Sequence, residues 1–115
     1  MNIQIFGTKK CFDSKKAERF FKERKIKFQF IDLNEKSMSK GEFNNVLRSI
    51  GINDLINTKS KDYIKLNFRN IRSAEIKAEL LLENQKVMNT PIVRNGNSAT
   101  VGYKSDIWNN WIETN

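Results

Sequence analysis

The chain reads as an α/β (α+β) fold: an N-terminal strand–helix–strand unit, a helical insertion and a C-terminal strand–strand–helix unit. Three observations predict it. Within the first 33 residues, apolar positions alternate, then recur at helical spacing, then alternate again. The middle of the chain carries helical spacing only. Its sole proline, Pro91, precedes a short apolar strand, an Asn95-Gly96 hairpin signal and a closing helical stripe. At 115 residues the chain is read as one domain, 1–115, with the insertion at about 37–88.

Each element has its own signal. Asn2–Phe6 predicts a strand, with Ile3 and Ile5 on one face and Gln4 and Phe6 on the other. Phe12 to about Lys25 predicts a helix in which Ala17, Phe20, Phe21 and Arg24 recur at helical spacing, so both phenylalanines pack on the sheet. Lys27–Leu33 predicts the second strand, parallel to the first, because such crossovers join parallel strands. Ser39-Lys-Gly-Glu42 is a capping box that starts a helix through Phe43, Val46, Leu47 and Ile50, ended by Gly51. Asp54–Ile56 and Lys61–Phe68 are read as short helical turns, and Ala74–Glu83 as a stronger helix with Ile76, Leu80 and Leu81 inward. Ile92-Val93 and Ala99–Gly102 flank the hairpin turn. Ser105 is read as the cap of the last helix, whose stripe Ile107, Trp108, Trp111 and Ile112 is core packing.

Composition removes several function classes. The chain has no histidine, which excludes Ser-His and Cys-His hydrolases and ordinary zinc sites; no metal ligands are assigned. There is no glycine-rich phosphate loop. The longest apolar run is Leu80-Leu81-Leu82, far short of a membrane span, and no signal-peptide pattern opens the chain. One cysteine excludes an internal disulfide framework, and with these features it places the protein in the cytoplasm. Net charge is +8, of which residues 1–30 contribute +6 from nine basic and three acidic side chains. Such a segment suits an acidic protein partner or an anionic substrate as well as a plain solvated face. Direct nucleic-acid binding is not expected, because no recognition helix or aromatic platform stands out.

The chemistry concentrates at Cys11. The run Ile3-Gln-Ile-Phe-Gly7-Thr-Lys-Lys-Cys11-Phe-Asp-Ser14 places the thiol at a helix N-terminus, where unpaired backbone N–H groups and the positive dipole end favour an anion. Lys9, Lys10, Lys15 and Lys16 add positive charge. Such surroundings lower a cysteine pKa, and the thiolate is the nucleophile. Ser14, one turn on, is placed to donate a hydrogen bond to it.

The element order, with a thiol at the first strand-to-helix turn and a proline before a later strand, is a thioredoxin-like arrangement. In that arrangement Pro91 is expected to be cis, although trans is the commoner isomer. Phe6-Gly-Thr-Lys-Lys-Cys11-Phe-Asp-Ser14, Phe30-Ile-Asp32, Leu82-Glu-Asn84, Thr90-Pro-Ile-Val93 and Val101-Gly-Tyr103 resemble the arsenate reductase–like family, which also contains the Spx transcriptional regulators. The resemblance spans nearly the whole chain and implies a bacterial, glutaredoxin-like oxidoreductase with Cys11 as its redox-active residue. It also implies that Thr90 and Pro91 align the substrate backbone, with Arg94 beside them.

Two departures narrow the expectation. The family's arsenate reductases hold the oxyanion with three arginines, and the corresponding positions here fall near Asn57, at Thr90 and near Tyr103. None is arginine, so arsenate is disfavoured as the substrate; Lys59, Lys61 and Arg94 are the nearby cations. Spx-type regulators typically carry Cys-x-x-Cys, whereas Ser14 makes this Cys-x-x-Ser. The expected activity is therefore thiol-dependent oxidoreduction with a monothiol. An external thiol, glutathione or a thioredoxin-like protein, resolves the adduct, and no cofactor is bound. The competing expectation is a non-enzymatic, Spx-like binding module.

Overall fold

The structure is a computed structural model in which residues 1–114 are described. Four strands form one sheet in the order β2-β1-β3-β4: β1 Ile3–Gly7, β2 Phe28–Asp32, β3 Ile92–Asn95 and β4 Ser98–Val101. β1 pairs parallel with β2, Ile3 opposite Phe28 and Gly7 opposite Asp32. It pairs antiparallel with β3, which turns back antiparallel onto β4. The strand–helix–strand reading is thus realised with β1 central, its two faces covered by different helices.

On one face, α1 (Phe12–Glu23) and α6 (Ser105–Thr114) bury Ile3, Ile5, Ala17, Phe20, Phe21, Val93 and Trp108. Phe20 and Phe21 both meet the Trp108 ring, at centroid distances of 5.2 and 5.3 Å, and the Trp108 indole N–H donates to the Thr100 hydroxyl at 2.9 Å. The polar end of the largest buried side chain is therefore satisfied inside the core. On the other face lies the helical insertion: α2 (Lys40–Ile50), α3 (Ile52–Leu55), α4 (Lys61–Lys65) and α5 (Ala74–Glu83), with single 3₁₀ turns at Phe68–Asn70 and Gln85–Val87. It buries Phe6, Ile31, Phe43, Val46, Leu55, Phe68, Leu81 and Ile92. Alternation along β1 is what sends Ile3 and Ile5 to one core and Phe6 to the other.

Caps set the helix boundaries. The Ser39–Glu42 capping box is complete, its hydroxyl accepting from the Glu42 N–H and the Glu42 carboxylate from the Ser39 N–H. Helix α1 stops at Glu23, two residues before the sequence boundary. There the Ile26 N–H donates to the Phe21 carbonyl, the Lys25 N–H to the Lys22 carbonyl, and Lys25 takes φ +56°. This is a Schellman stop with a lysine in the place glycine usually fills.

Three sequence expectations are corrected. Ile76 is 54% exposed, because the inward line of α5 runs through Ala78, Leu81 and Leu82, and Ile76 sits two residues, about 200°, away from Ala78. Ser105 is the first helical residue and not the cap, since the Lys104 carbonyl accepts the first helical bond from Trp108. The last strand starts and ends one residue early: Gly102 leaves the ladder at φ +83° and donates its N–H to the Pro91 carbonyl at 2.8 Å.

Candidate functional site

The site lies where the C-terminal end of β1 meets the segment before β3. Gly7 ends β1, its carbonyl held by the Leu33 N–H at 2.9 Å, and the chain turns through Thr8-Lys9-Lys10. The Cys11 N–H closes this turn on the Thr8 carbonyl at 3.2 Å. Cys11 is the N-cap of α1, with extended backbone angles (φ −79°, ψ 116°), and its side chain makes no capping bond to the helix. The thiol is partly exposed and free. It donates to the Thr90 carbonyl at 3.6 Å, bridging 79 residues of sequence. The Thr90–Pro91 peptide is cis, as the topology led us to expect. Cys11, Ser14, Thr90 and Pro91 therefore come together at one end of the sheet.

The Cys11 pKa lies below the ordinary thiol value. Partial burial pushes it up, but hydrogen-bond donors overcome that: the Ser14 hydroxyl first, then the Thr90 hydroxyl, then the backbone N–H groups of Ser14 and Asp13. The two N–H groups are the free donors of the first turn of α1. Ser14 itself is fully buried, and its hydroxyl has no hydrogen-bond partner while the sulfur is a neutral thiol. A thiolate is a much stronger acceptor than a thiol, so an ionised Cys11 would offer the Ser14 hydroxyl a partner.

Gly7 makes this placement possible. A Cβ at that position would collide with Ser14 Oγ and lie 2.8 Å from Ser14 Cβ. The sequence reading did not single out Gly7. A glycine in a strand marks close backbone approach, but its partner seven residues on is visible only in three dimensions.

The other expected site residues fall elsewhere. Lys9 reaches the Glu35 carboxylate at 3.6 Å with both side chains largely in solvent, and Lys10 is exposed. The groups that lower the Cys11 pKa are the hydrogen-bond donors of Ser14, Thr90 and Asp13. Arg94 is held by the Gln4 side chain at 2.6 Å, Asn45 at 3.2 Å and Glu42 at 3.8 Å. It lies four residues along the chain beyond Thr90, within β3. Arg94 ties β3 to β1 and α2 and is not brought to the thiol. Of the positions matching the family's arginines, Asn57 donates its N–H to the Val87 carbonyl beside the Met88–Thr90 segment, Thr90 touches Cys11, and Tyr103 packs against Lys16 and Trp108. No cluster of three or more acidic, cysteine or histidine side chains suited to a metal occurs among the described residues.

Fold and site together define a thioredoxin-like protein with a single thiol at its first strand-to-helix turn. The chain belongs to the ArsC family, whose model matches residues 6–111. It is 26% identical over 110 residues to the global transcriptional regulator Spx 2 of Oceanobacillus iheyensis, covering 92% of this chain and 80% of that one. It is also 26% identical over 117 residues to the uncharacterized protein YusI of Bacillus subtilis, covering 96% and 99%. The arsenate reductase of Vibrio cholerae shares the fold, with a TM-score of 0.81 at 22% identity over 93% of this chain and 94% of that one. No helix among the described residues is long and apolar enough to cross a membrane.

Proposed function

We propose that the protein is a monothiol oxidoreductase in which Cys11 exchanges with disulfides and an external thiol resolves the adduct. The observation that carries this reading is the buried, unpartnered Ser14 hydroxyl one turn from a thiol whose pKa lies below the ordinary value. A cysteine kept only for packing needs no such reserved donor.

In the first step the Cys11 thiolate attacks one sulfur of a disulfide. A Cys11–sulfur bond forms, the original S–S bond breaks, and the departing sulfur leaves as a thiolate with the bonding pair. Ser14 cannot resolve the mixed disulfide, since it has no sulfur. A second thiol, from glutathione or a thioredoxin-like protein, attacks the adduct, forms a new external disulfide and returns Cys11 as a thiolate. The donors from Ser14, Thr90 and the first turn of α1 stabilise Cys11 as both nucleophile and leaving group. The Thr90 carbonyl, which accepts the thiol proton in the resting protein, is free in the adduct to accept an N–H of the bound chain. The Pro91 carbonyl already accepts the Gly102 N–H. Without a guanidinium at Asn57, Thr90 or Tyr103, arsenate is not the proposed substrate. A reduced single thiol of this kind fits the cytoplasm.

The test is a mass measurement. Incubation with oxidised glutathione adds one glutathionyl group to the wild type and none to Cys11→Ser, and reduced glutathione or thioredoxin removes it. A protein that takes up no adduct at Cys11 would overturn the reading. The similarity to Spx 2 favours a second reading, a regulatory module, and the basic N-terminal segment suits an acidic protein partner for it. An unchanged set of captured partners after charge reversal at Lys15, Lys16 and Lys22 counts against that one.

A further inference from the structure

One face of α1 carries a surface that thiol chemistry alone does not require. Phe12, the residue after the thiol, is 74% exposed. Lys16 lies one turn on, its ammonium 4.5 Å from the Tyr103 ring centroid and 5.9 Å from that of Phe12. Phe12, Lys16, Arg19 and Glu23 recur at i, i+4, i+7 and i+11, a single helical stripe. At its far end Lys16, Arg19, Phe20, Glu23, Arg24 and Tyr103 line a cleft of about 190 Å³. Arg24 stacks on the Phe20 ring at 3.7 Å and bonds the Phe20 carbonyl at 3.0 Å, so the cleft wall is held in place. The exposed aromatic rings are thus flanked by cations all along a path that starts at the thiol.

We infer that this stripe is a docking surface for an acidic polypeptide segment whose cysteine is presented to Cys11. The inference rests on the proposed exchange for its covalent step only; the docking itself does not need the sulfur. Three observations converge on this occupant. First, three cations against one acidic residue line the cleft, so its charge complements carboxylates. Second, the surface is continuous with the thiol through Phe12. Third, length selects a polypeptide over a small thiol: the twelve residues of α1 extend about 18 Å. A tripeptide spans at most about 10 Å, so it covers the thiol end and leaves the cleft empty. About six extended residues bridge the whole stripe. An exposed phenylalanine offers such a segment an apolar anchor beside the reacting sulfurs.

The experiment uses octapeptides with a central cysteine carried as its mixed disulfide with thionitrobenzoate, flanked either by aspartates or by lysines. Glutathione–thionitrobenzoate is the short probe. Attack by Cys11 on the peptide sulfur forms the Cys11–peptide bond and releases the coloured thionitrobenzoate thiolate with the bonding pair. The acidic octapeptide is expected to react at least tenfold faster than the basic one, and the ratio to fall to about two in Arg19→Glu. Lys86→Glu, an equal charge change away from the stripe, is expected to keep it. Phe12→Ala is expected to slow both octapeptides severalfold more than the glutathione probe. Acidic and basic peptides reacting within twofold of each other, or equal ratios in Arg19→Glu and Lys86→Glu, would overturn the inference. A fluorescent acidic octapeptide with serine for cysteine is titrated against Cys11→Ser in parallel. Saturable binding that Arg19→Glu weakens supports the surface even if Cys11 proves inert toward every disulfide. No binding there overturns the surface and leaves the exchange reading standing on the glutathione probe.

Discussion

A single hydroxyl decides how this thiol behaves. Ser14 is buried against Gly7 and waits for an acceptor, so removing it should raise the Cys11 pKa. We expect Ser14→Ala to shift the pH inflection of Cys11 alkylation upward, and by more than Lys10→Ala does. The comparison separates hydrogen bonding from lysine charge, and a larger effect of Lys10→Ala would favour charge. The sign for stability follows from the same shift. The folded-state pKa of Cys11 lies below the thiol's ordinary value. The reduced protein therefore gains stability as pH rises from the folded pKa to that ordinary value and loses it on the way down. Cys11→Ser should show no such gain when both are unfolded with urea across that range. Much of the site was legible at this scale: a cysteine between a strand and a helix start, with a serine one turn on, carries its meaning in local spacing. The partners of Lys9 and Arg94 were not, because where a long cationic side chain ends depends on groups such as Glu35 and Gln4 that are distant in sequence.

At the scale of elements, caps and packing lines decide the boundaries. Ser39 is a reciprocated N-cap, so Ser39→Ala should cost about 1 kcal/mol in denaturant unfolding. Glu42 is pushed upward by burial, but the Ser39 donors, the Arg94 charge and the Gln4 amide hold its pKa below the usual glutamate value. Its contribution is present above that usual value and lost as pH falls through the depressed one, and Glu42→Gln should flatten the corresponding part of the acid-stability curve. Lys25 holds the left-handed C-terminal position of α1. Lys25→Gly is expected to stabilise the protein by up to about 1 kcal/mol, read as a higher urea midpoint at unchanged slope. The capping box could be read from four residues because its chemistry is local. The end of α1 could not, since nothing in Arg24-Lys25-Ile26 announces a left-handed turn. On α5 the inward Leu80 and Leu81 were legible but the exposure of Ile76 was not, because nearly all residues there are good helix formers and blur which side faces the core.

Taken whole, the molecule is one central strand with a core on either side, and the thiol sits where both cores end. Trp108 closes one of them against Phe20, Phe21 and Tyr103. Trp108→Ala should cost about 3–5 kcal/mol, and it should loosen the Tyr103 side of the proposed docking stripe as well. The order of elements was legible because alternation and helical spacing switch cleanly at each boundary. The pairing of β1 with β3 was not, since it joins residues about 90 apart in sequence. The measurement that bears most directly on the whole account is the pH dependence of Cys11 alkylation in the folded protein, with Cys11→Ser as the blank. One inflection clearly below about 8.5 is expected. An inflection at or above that value, or a thiol that reacts only once the protein is unfolded, would contradict it.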